Sequence, residues 1–372
     1  MIRRLRATPL KIPFKRSFKH AAAERSVTQS VWVEVESDTG AKGFGEGCPR
    51  DYVTGESVAS ALDFIHTIKA DVKCLRGVDD LRTWVASQRE RIDAHPSAWC
   101  AVELALLDMM ARDAAQSVEE MLSMPAIQGP FCYSAVLGSE IPVVFQAQWK
   151  RYVQWGFRDF KVKLSGGPDD FERMALLKAA GNVIGSLRFD ANNLWREPAV
   201  AAQHLRKLDI PFFAVEEPLA PGRYEQLRQI GADTGAKVIL DESFLRQEQL
   251  DNLRSDPSRW IINLRLSKMG GLLRSLAVAE AAQTAGVALI IGCQVGETSL
   301  LSRAALTVAQ RHLGRGLLAQ EGAFGTHLLA SDIIAQPLMF GAGGQLDVSA
   351  YHFGGRTGFG LEPVPLPEGC GM

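Results

Sequence analysis

From Phe131 onward, short apolar runs alternate with stretches of helix length, and this alternation constrains the fold more than any other feature of the chain. The runs are Phe131–Leu137, Phe160–Leu164, Leu187–Asp190, Phe212–Glu216, Lys237–Asp241, Trp260–Leu264, Val287–Ile291 and Gly316–Ala319. Strands joined by helix-length connections run parallel, and eight of them predict a modified (β/α)8 barrel of the α/β class. Five charged residues recur at one phase of this repeat: Lys163, Asp190, Glu216, Asp241 and Lys268, spaced 27, 26, 25 and 27 residues apart. Each spacing is one βα unit, so the five stand at the C-terminal ends of strands, where barrel side chains converge on one mouth. A single Asp in such a place reads as a helix N-cap or a solvated charge. Five in register read as a site.

Residues 1–125 have a different texture. Period-two patterns predict strands over Ile2–Pro13, Ser30–Ser37 and Ala41–Glu46, the last two joined by the turn residues Asp38-Thr39-Gly40. Helical patterns follow near 54–70, 79–92 and 97–115. This predicts an α+β capping domain over 1–125, completed by about 345–372, on a barrel over 126–344. Gly43-Phe44-Gly45-Glu46-Gly47 lacks the GxGxxG spacing and no helix follows it directly, so it does not read as a dinucleotide loop.

Composition narrows the partners. The 372 residues are 47% hydrophobic and 22% charged, with 41 Lys and Arg against 42 Asp and Glu and a net charge of −1. Such a chain buries a large core, and without a concentrated basic patch it is not expected to bind nucleic acid or a membrane surface. No apolar stretch reaches the ~18 residues of a membrane span, and Met1 to Pro13 lacks the apolar core of a signal peptide. Cys48, Cys74, Cys100, Cys132, Cys293 and Cys370 stand singly, without a CxxC pair, and are expected to be reduced thiols in a cytoplasmic protein. A small molecule is the expected partner.

Three carboxylates on adjacent strands, with no histidine or cysteine among them, suit a hard cation, and a stiff scaffold with few ligands suits Mg²⁺. Asp190, Glu216 and Asp241 are the candidate ligands. In Lys161-Val162-Lys163 the period of two turns both ammonium groups to the inner face. Neighbouring cations disfavour each other's protonation, so Lys163 is expected to fall below the ordinary lysine value of about 10.4 and act as a base, with Lys161 holding a substrate anion. Lys268, at the end of strand six, would face Lys163 across the mouth. Two opposed proton carriers suit inversion of a stereocentre, and the weakly acidic proton beside a carboxylate calls for positive charge as an ene-diolate develops.

These residues carry a family resemblance. Phe160-Lys161-Val162-Lys163, Phe189-Asp190-Ala191-Asn192, Val215-Glu216-Glu217-Pro218, Leu240-Asp241-Glu242-Ser243 and Ser267-Lys268-Met269-Gly270-Gly271 resemble the muconate-lactonizing subgroup of the enolase superfamily over nearly the whole chain. The tail from Gly354 to Leu361 looks like the segment that returns to the cap. The resemblance implies Lys163 and Lys268 as the acid/base pair, Asp190, Glu216 and Asp241 as Mg²⁺ ligands, and a homo-oligomer. It also implies that cap loops near 18–25 and 48–55 choose the substrate, which brings forward Lys19, His20, Arg25, Arg50 and Tyr52. The mandelate-racemase branch fits less well, because residues 287–311 contain no histidine, and a Schiff-base aldolase would leave the three carboxylates unexplained.

The subgroup includes muconate cycloisomerases, o-succinylbenzoate synthases, N-acylamino-acid racemases and dipeptide epimerases. Dipeptide epimerases resemble one another in an Asp-x-Asp after strand eight that holds the peptide's ammonium. Here Ala319-Gln320-Glu321-Gly322 offers one acid. Asn192, Glu297 and Glu321 are candidate pocket residues, the two acids favouring a substrate with a cationic or hydrogen-bond-donating group away from its carboxylate. Cys293 joins them, reading as a packed thiol with no histidine beside it. The expected activity is a Mg²⁺-dependent racemase or epimerase of an amino-acid-derived carboxylate. Cycloisomerisation or β-elimination through the same intermediate is the alternative, and a non-catalytic carboxylate binder is a third.

Overall fold

A computed structural model describes residues 1–20, 23–138, 141–353 and 355–365. The chain opens with a three-stranded antiparallel sheet in the order β1-β4-β5, made by β1 (Ile2–Leu10), β4 (Ser30–Ser37) and β5 (Lys42–Gly47). A second hairpin, β2 (Pro13–His20) with β3 (Ala23–Val27), interrupts it. The sequence reading had not foreseen that hairpin. Helices Val58–Val72, Val78–Ser87, Arg89–Ala94 and Pro96–Asp113 follow.

The glycines of β5 exist for close approach. A methyl group on Gly43, Gly45 or Gly47 would lie 2.1, 1.9 and 1.9 Å from the carbonyl oxygens of Ala105, Ala101 and Ser97 respectively. Those three partners recur every four residues along one face of the Pro96–Asp113 helix, so a strand without side chains beds directly on a helical ridge. The helix is buried from Pro96 to Ala111 and serves as the axis on which the cap is built.

All eight expected barrel strands are present as one parallel sheet: β7 (Ala135–Leu137), β8 (Asp159–Lys163), β9 (Ser186–Asp190), β10 (Ala214–Glu216), β11 (Lys237–Leu240), β12 (Trp260–Leu264), β13 (Ala288–Ile291) and β14 (Leu317–Gln320). Two details differ from expectation. The first apolar run is two elements, because Tyr133-Ser134 breaks it: β6 (Phe131–Cys132) pairs antiparallel with β15 (Gln345–Leu346), and only β7 joins the barrel. Lys268 does not end a strand; it lies four residues past β12 in the helical turn Leu266–Met269.

Inside the barrel, Ala214, Ile239, Ile261, Ile290 and Ala319 form an apolar layer. Two residues further along the same strands the inward positions become Glu216, Asp241, Asn263, Gly292 and Glu321. The strand period of two therefore stacks a polar mouth on an apolar floor. Among the described residues β7 and β14 share no ladder. Ser134 closes the ring instead, its N–H donating to the Gln320 carbonyl at 2.8 Å. Beyond β14 the chain makes a short 3₁₀ turn, Gly325–His327, in place of a long helix.

The cap is tied to the barrel by buried polar bonds. Thr298 N–H and Oγ1 donate to the Glu46 carboxylate at 3.0 and 2.6 Å, and Cys48 N–H donates to Ser267 Oγ at 2.7 Å. The tail returns to the cap helix, where Phe359 N–H meets Asp108 Oδ1 at 2.8 Å and Arg112 donates to the Leu361 carbonyl at 2.7 Å. No helix among the described residues is long and apolar enough to cross a membrane.

Candidate active site

Lys163, Asp190 and Glu216 end three consecutive strands and are direct neighbours in the ladder, Lys163 opposite Asp190 and Asp190 opposite Glu216. Register alone thus sets an ammonium and two carboxylates side by side. Lys163 Nζ lies 3.2 Å from Asp190 Oδ2 and donates to Asn192 Oδ1 at 2.8 Å. Lys161, one inward position deeper, lies 3.2 Å from the same Asp190 oxygen, 2.6 Å from Glu216 Oε2 and 3.1 Å from Glu321 Oε2. The like-charge repulsion expected between the two lysines is therefore screened by a carboxylate oxygen that both share.

Across the mouth, Arg265 pairs with Asp241 and lies 3.6 Å from Glu216 Oε1. Lys268 donates to Asp241 Oδ1 at 2.9 Å, to the Asp241 carbonyl at 2.7 Å and to the Asn263 carbonyl at 2.8 Å, so its three N–H groups are all engaged. Lys268 is fully buried behind Asp241, whereas Lys163 borders the open cavity.

Burial and charge pull these groups apart electrostatically. Burial works to raise the Asp190 carboxyl, but Lys161 and Lys163 hold it below the usual carboxylate range. Burial raises Glu216 to about 7, opposed by Lys161 and aided by Asp190, Glu321 and Asp241. Burial opposes charge on Lys161, yet Asp190, Glu216 and Glu321 raise it well above the ordinary value.

The donors at Asp190, Glu216 and Asp241 are all carboxylate oxygens from consecutive strands, the chemistry that a hard divalent cation takes. Glu216 is raised to about 7 by burial first, with Asp190, Glu321 and Asp241 adding to it against Lys161. Among the described residues no three such side chains converge closely enough to enclose an ion, because Lys161 and Arg265 stand between them. The donor set suits the cation, and two cationic side chains occupy the space between the donors.

Of the other candidates, Tyr52, Asn192, Cys293 and Glu321 border the same cavity as Lys161 and Lys163. Glu321 is not open to a substrate cation as expected: its two oxygens accept from Arg188 at 2.8 Å and Lys161 at 3.1 Å, and those two cations, against burial, hold it at about 2. Glu297 lies behind the cavity lining, accepting from Gln294 N–H at 3.0 Å, and burial with Glu46 nearby raises it to about 8. Arg50 is buried and donates to the carbonyls of Gln29, Pro49 and Val295 at 2.9, 2.6 and 2.7 Å, which makes it a staple between cap and barrel rather than a cavity residue. Arg25 stands over the Tyr52 ring, 5.6 Å from its centre. Burial and Glu297 raise the Cys293 thiol, in keeping with packing rather than nucleophilicity. The side chains of Lys19 and His20 lie outside the described residues.

Sequence reasoning missed three residues that hold the site. Arg188, wholly buried, joins Glu321 to Ser134 and Asp159. Asn263 donates to Glu216 Oε1 at 3.0 Å. Glu217 accepts from the N–H groups of Asp241 and Ser243, both at 2.7 Å, and fixes the Asp241 loop. Arg188 and Asn263 each interrupt an apolar strand at an inward position, a signal the sequence did carry.

The family model described as "Enolase C-terminal domain-like" matches residues 144–365. The chain belongs to the enolase superfamily. Its muconate-lactonizing subgroup is supported by its relatives. The hydrophobic dipeptide epimerase of Enterococcus faecalis is 27% identical over 320 residues, 84% of this chain and 89% of that protein. A crystal structure of an E. faecalis dipeptide epimerase with Mg and the dipeptide L-Leu-L-Tyr superposes with a TM-score of 0.83 at 24% identity, covering 97% and 99% of the two chains. The muconate lactonizing enzyme of Pseudomonas putida superposes with a TM-score of 0.82 at 22% identity, covering 98% and 97%. This enolase-superfamily member is thus an isomerase by kinship.

Proposed function

We propose that the protein is a racemase or epimerase that removes and returns the proton α to a carboxylate in an amino-acid-derived substrate, using Lys163 and Lys268 as the two proton carriers. The observation that carries this reading is their placement. Lys163 ends β8 and Lys268 follows β12, four strands away in a ring of eight, and each is within 3.2 Å of a carboxylate of the same row. Protons taken on one face and returned on the other invert a centre.

Lys163 borders the cavity and takes the proton. Lys268, which donates to three acceptors, returns one on the opposite face; the roles exchange for the other enantiomer. Lys161, set between Asp190, Glu216 and Glu321, offers positive charge to the substrate carboxylate as electron density moves onto its oxygens. Mg²⁺, with Asp190, Glu216 and Asp241 as the residues that would hold it, supplies further positive charge for that density. The Mg in the structure of the Enterococcus epimerase supports this choice of ion. In this reading residues 1–125 with the returning tail act as the cap that closes over bound substrate.

The test is isotope exchange. With substrate in D₂O, both epimers gain deuterium at the α-carbon and EDTA stops the exchange; Lys163→Ala and Lys268→Ala each abolish epimerisation, and each keeps exchange only in the epimer whose proton the remaining lysine removes. Epimerisation that persists in both variants sinks the assignment.

A further inference from the structure

The cavity that holds Lys161 and Lys163 does not end at the mouth. It continues along the seam where β7 and β14 meet without a ladder, bordered by the later turns of the helix Pro142–Gln154 and by the segment after β14. Gln148, Arg151, Tyr152 and Trp155 recur at helical spacing and face this arm together. Opposite them, His327 lies 5.4 Å from Trp155 and 4.8 Å from Phe340, ring centre to ring centre, and its Nε2–H donates to the Phe340 carbonyl at 2.8 Å. The wall is thus a row of flat rings.

Charge is distributed unevenly along the same cavity. Its acids, Asp190, Asp241, Glu242 and Glu321, all lie at the inner end. Three of these are committed: Asp190 to Lys161 and Lys163, Asp241 to Arg265 and Lys268, and Glu321 to Arg188 and Lys161. Among the described residues the outer arm has no acid and one exposed cation, Arg151, whose guanidinium stacks 4.8 Å from the Trp155 ring centre. No described carboxylate lies within ion-pair distance of it. A guanidinium laid on an indole keeps its edge free for an anion, and the stacking holds it in place.

We propose that this arm is the subsite for the end of the substrate remote from the reacting carbon, and that it selects a flat apolar group terminating in an anion. The inference rests on the isomerase reading for the position of the reacting carbon, but the preference itself is a matter of binding. Among the described residues a cationic tail finds rings, Gln148 and Arg151 in the arm but no carboxylate, and an anionic tail finds the Arg151 guanidinium with no carboxylate paired to it.

The test uses the Mg²⁺-loaded protein and three probes that share a reacting end: N-(4-carboxybenzoyl)-L-alanine, N-benzoyl-L-alanine and N-(4-aminomethylbenzoyl)-L-alanine. Calorimetric affinities should fall in that order, at least about tenfold from the first to the last. Arg151→Ala should weaken the carboxylated probe about tenfold more than the plain benzoyl probe, and Arg151→Glu should invert the order of the charged pair. Arg151 is exposed, so neither change threatens folding. A cationic probe bound as well as the anionic one, an unchanged ratio in both variants, or no binding of any probe overturns the subsite. Deuterium exchange on the same probes is read separately: ordered binding without exchange keeps the subsite and counts against the isomerase reading, and exchange without the order does the reverse.

Discussion

Arg188 donates to Glu321 at 2.8 Å inside the barrel, joining β9 to the residue that follows β14 with neither group exposed to water. The same guanidinium reaches Ser134 at 2.9 Å and Asp159 at 3.2 Å, so one side chain binds both sides of the seam. Removing one partner of such a pair leaves a buried charge, which costs about 3–5 kcal/mol in general. Glu321→Ala should therefore lower stability by about 3 kcal/mol, the retained Asp159 contact keeping the loss near the lower figure. Glu321→Gln, which preserves an acceptor, should lose about half as much. Urea denaturation measures both, and equal losses would show that charge is unimportant at the seam.

Arg265 neutralises Asp241 and stands beside Glu216, which makes it a competitor for any cation those two acids would hold. Arg265→Ala should tighten Mg²⁺ binding by about tenfold, or about 1.4 kcal/mol. The variant should also be less stable than the parent in EDTA and regain that difference on adding Mg²⁺, since a ligand that binds only the folded state stabilises it. Calorimetry and thermal denaturation with and without chelator decide this. Weaker Mg²⁺ binding in the variant would mean that Arg265 supports the ion site instead.

Glu46 links pH to the joint between cap and barrel. Burial raises its carboxyl to about 7 despite hydrogen bonds from Thr298. A carboxyl raised in the folded state contributes stability that is fully present below the unfolded value near 4.5 and is lost as pH climbs through 7. The full contribution is up to about 3 kcal/mol, from about 1.4 kcal/mol per unit. Stability should therefore decline between pH 5 and 8 by more in the parent than in Glu46→Gln, which cannot ionise. Parallel curves for the two proteins, followed by denaturant midpoints across that range, would remove Glu46 from the account.

Gly45 is predicted to tolerate no side chain. Its added methyl would meet the Ala101 carbonyl carbon and oxygen and the Ala105 nitrogen, all backbone and all within 2.9 Å. Overpacking against movable side chains costs about 1–3 kcal/mol, and backbone cannot rotate away. Gly45→Ala should thus lose about 3 kcal/mol or fail to give a soluble protein. Gly40→Ala is the control: nothing lies within 4 Å, so only the strain of its φ of 94° remains.

What the sequence disclosed follows the reach of its periodicities. Lys163, Asp190 and Glu216 were legible because the length of a βα unit and the strand period of two place them without knowledge of packing. Lys268 follows β12 instead of ending it, since the run Trp260–Leu264 says nothing of where the chain turns after Arg265. The Gly43, Gly45 and Gly47 alternation lacks the spacing of a dinucleotide loop, but its purpose needs a helix that lies some fifty residues on. Glu321 looked available because its counter-ion, Arg188, comes from a strand five places away in the sheet. The slot between Trp155 and His327 joins residues about 170 positions apart, and no local pattern announces it.

The ring of strands is closed at one joint by side chains and a single backbone bond, while every other joint is a ladder. A ladder cannot be widened without breaking several bonds at once, but a side-chain joint can be re-cut one residue at a time. The proposed proton carriers sit on the laddered arc from β8 to β12. Change along the seam can therefore alter which molecules are admitted while leaving the reaction itself in place, so that appetite and chemistry are free to evolve separately in one barrel.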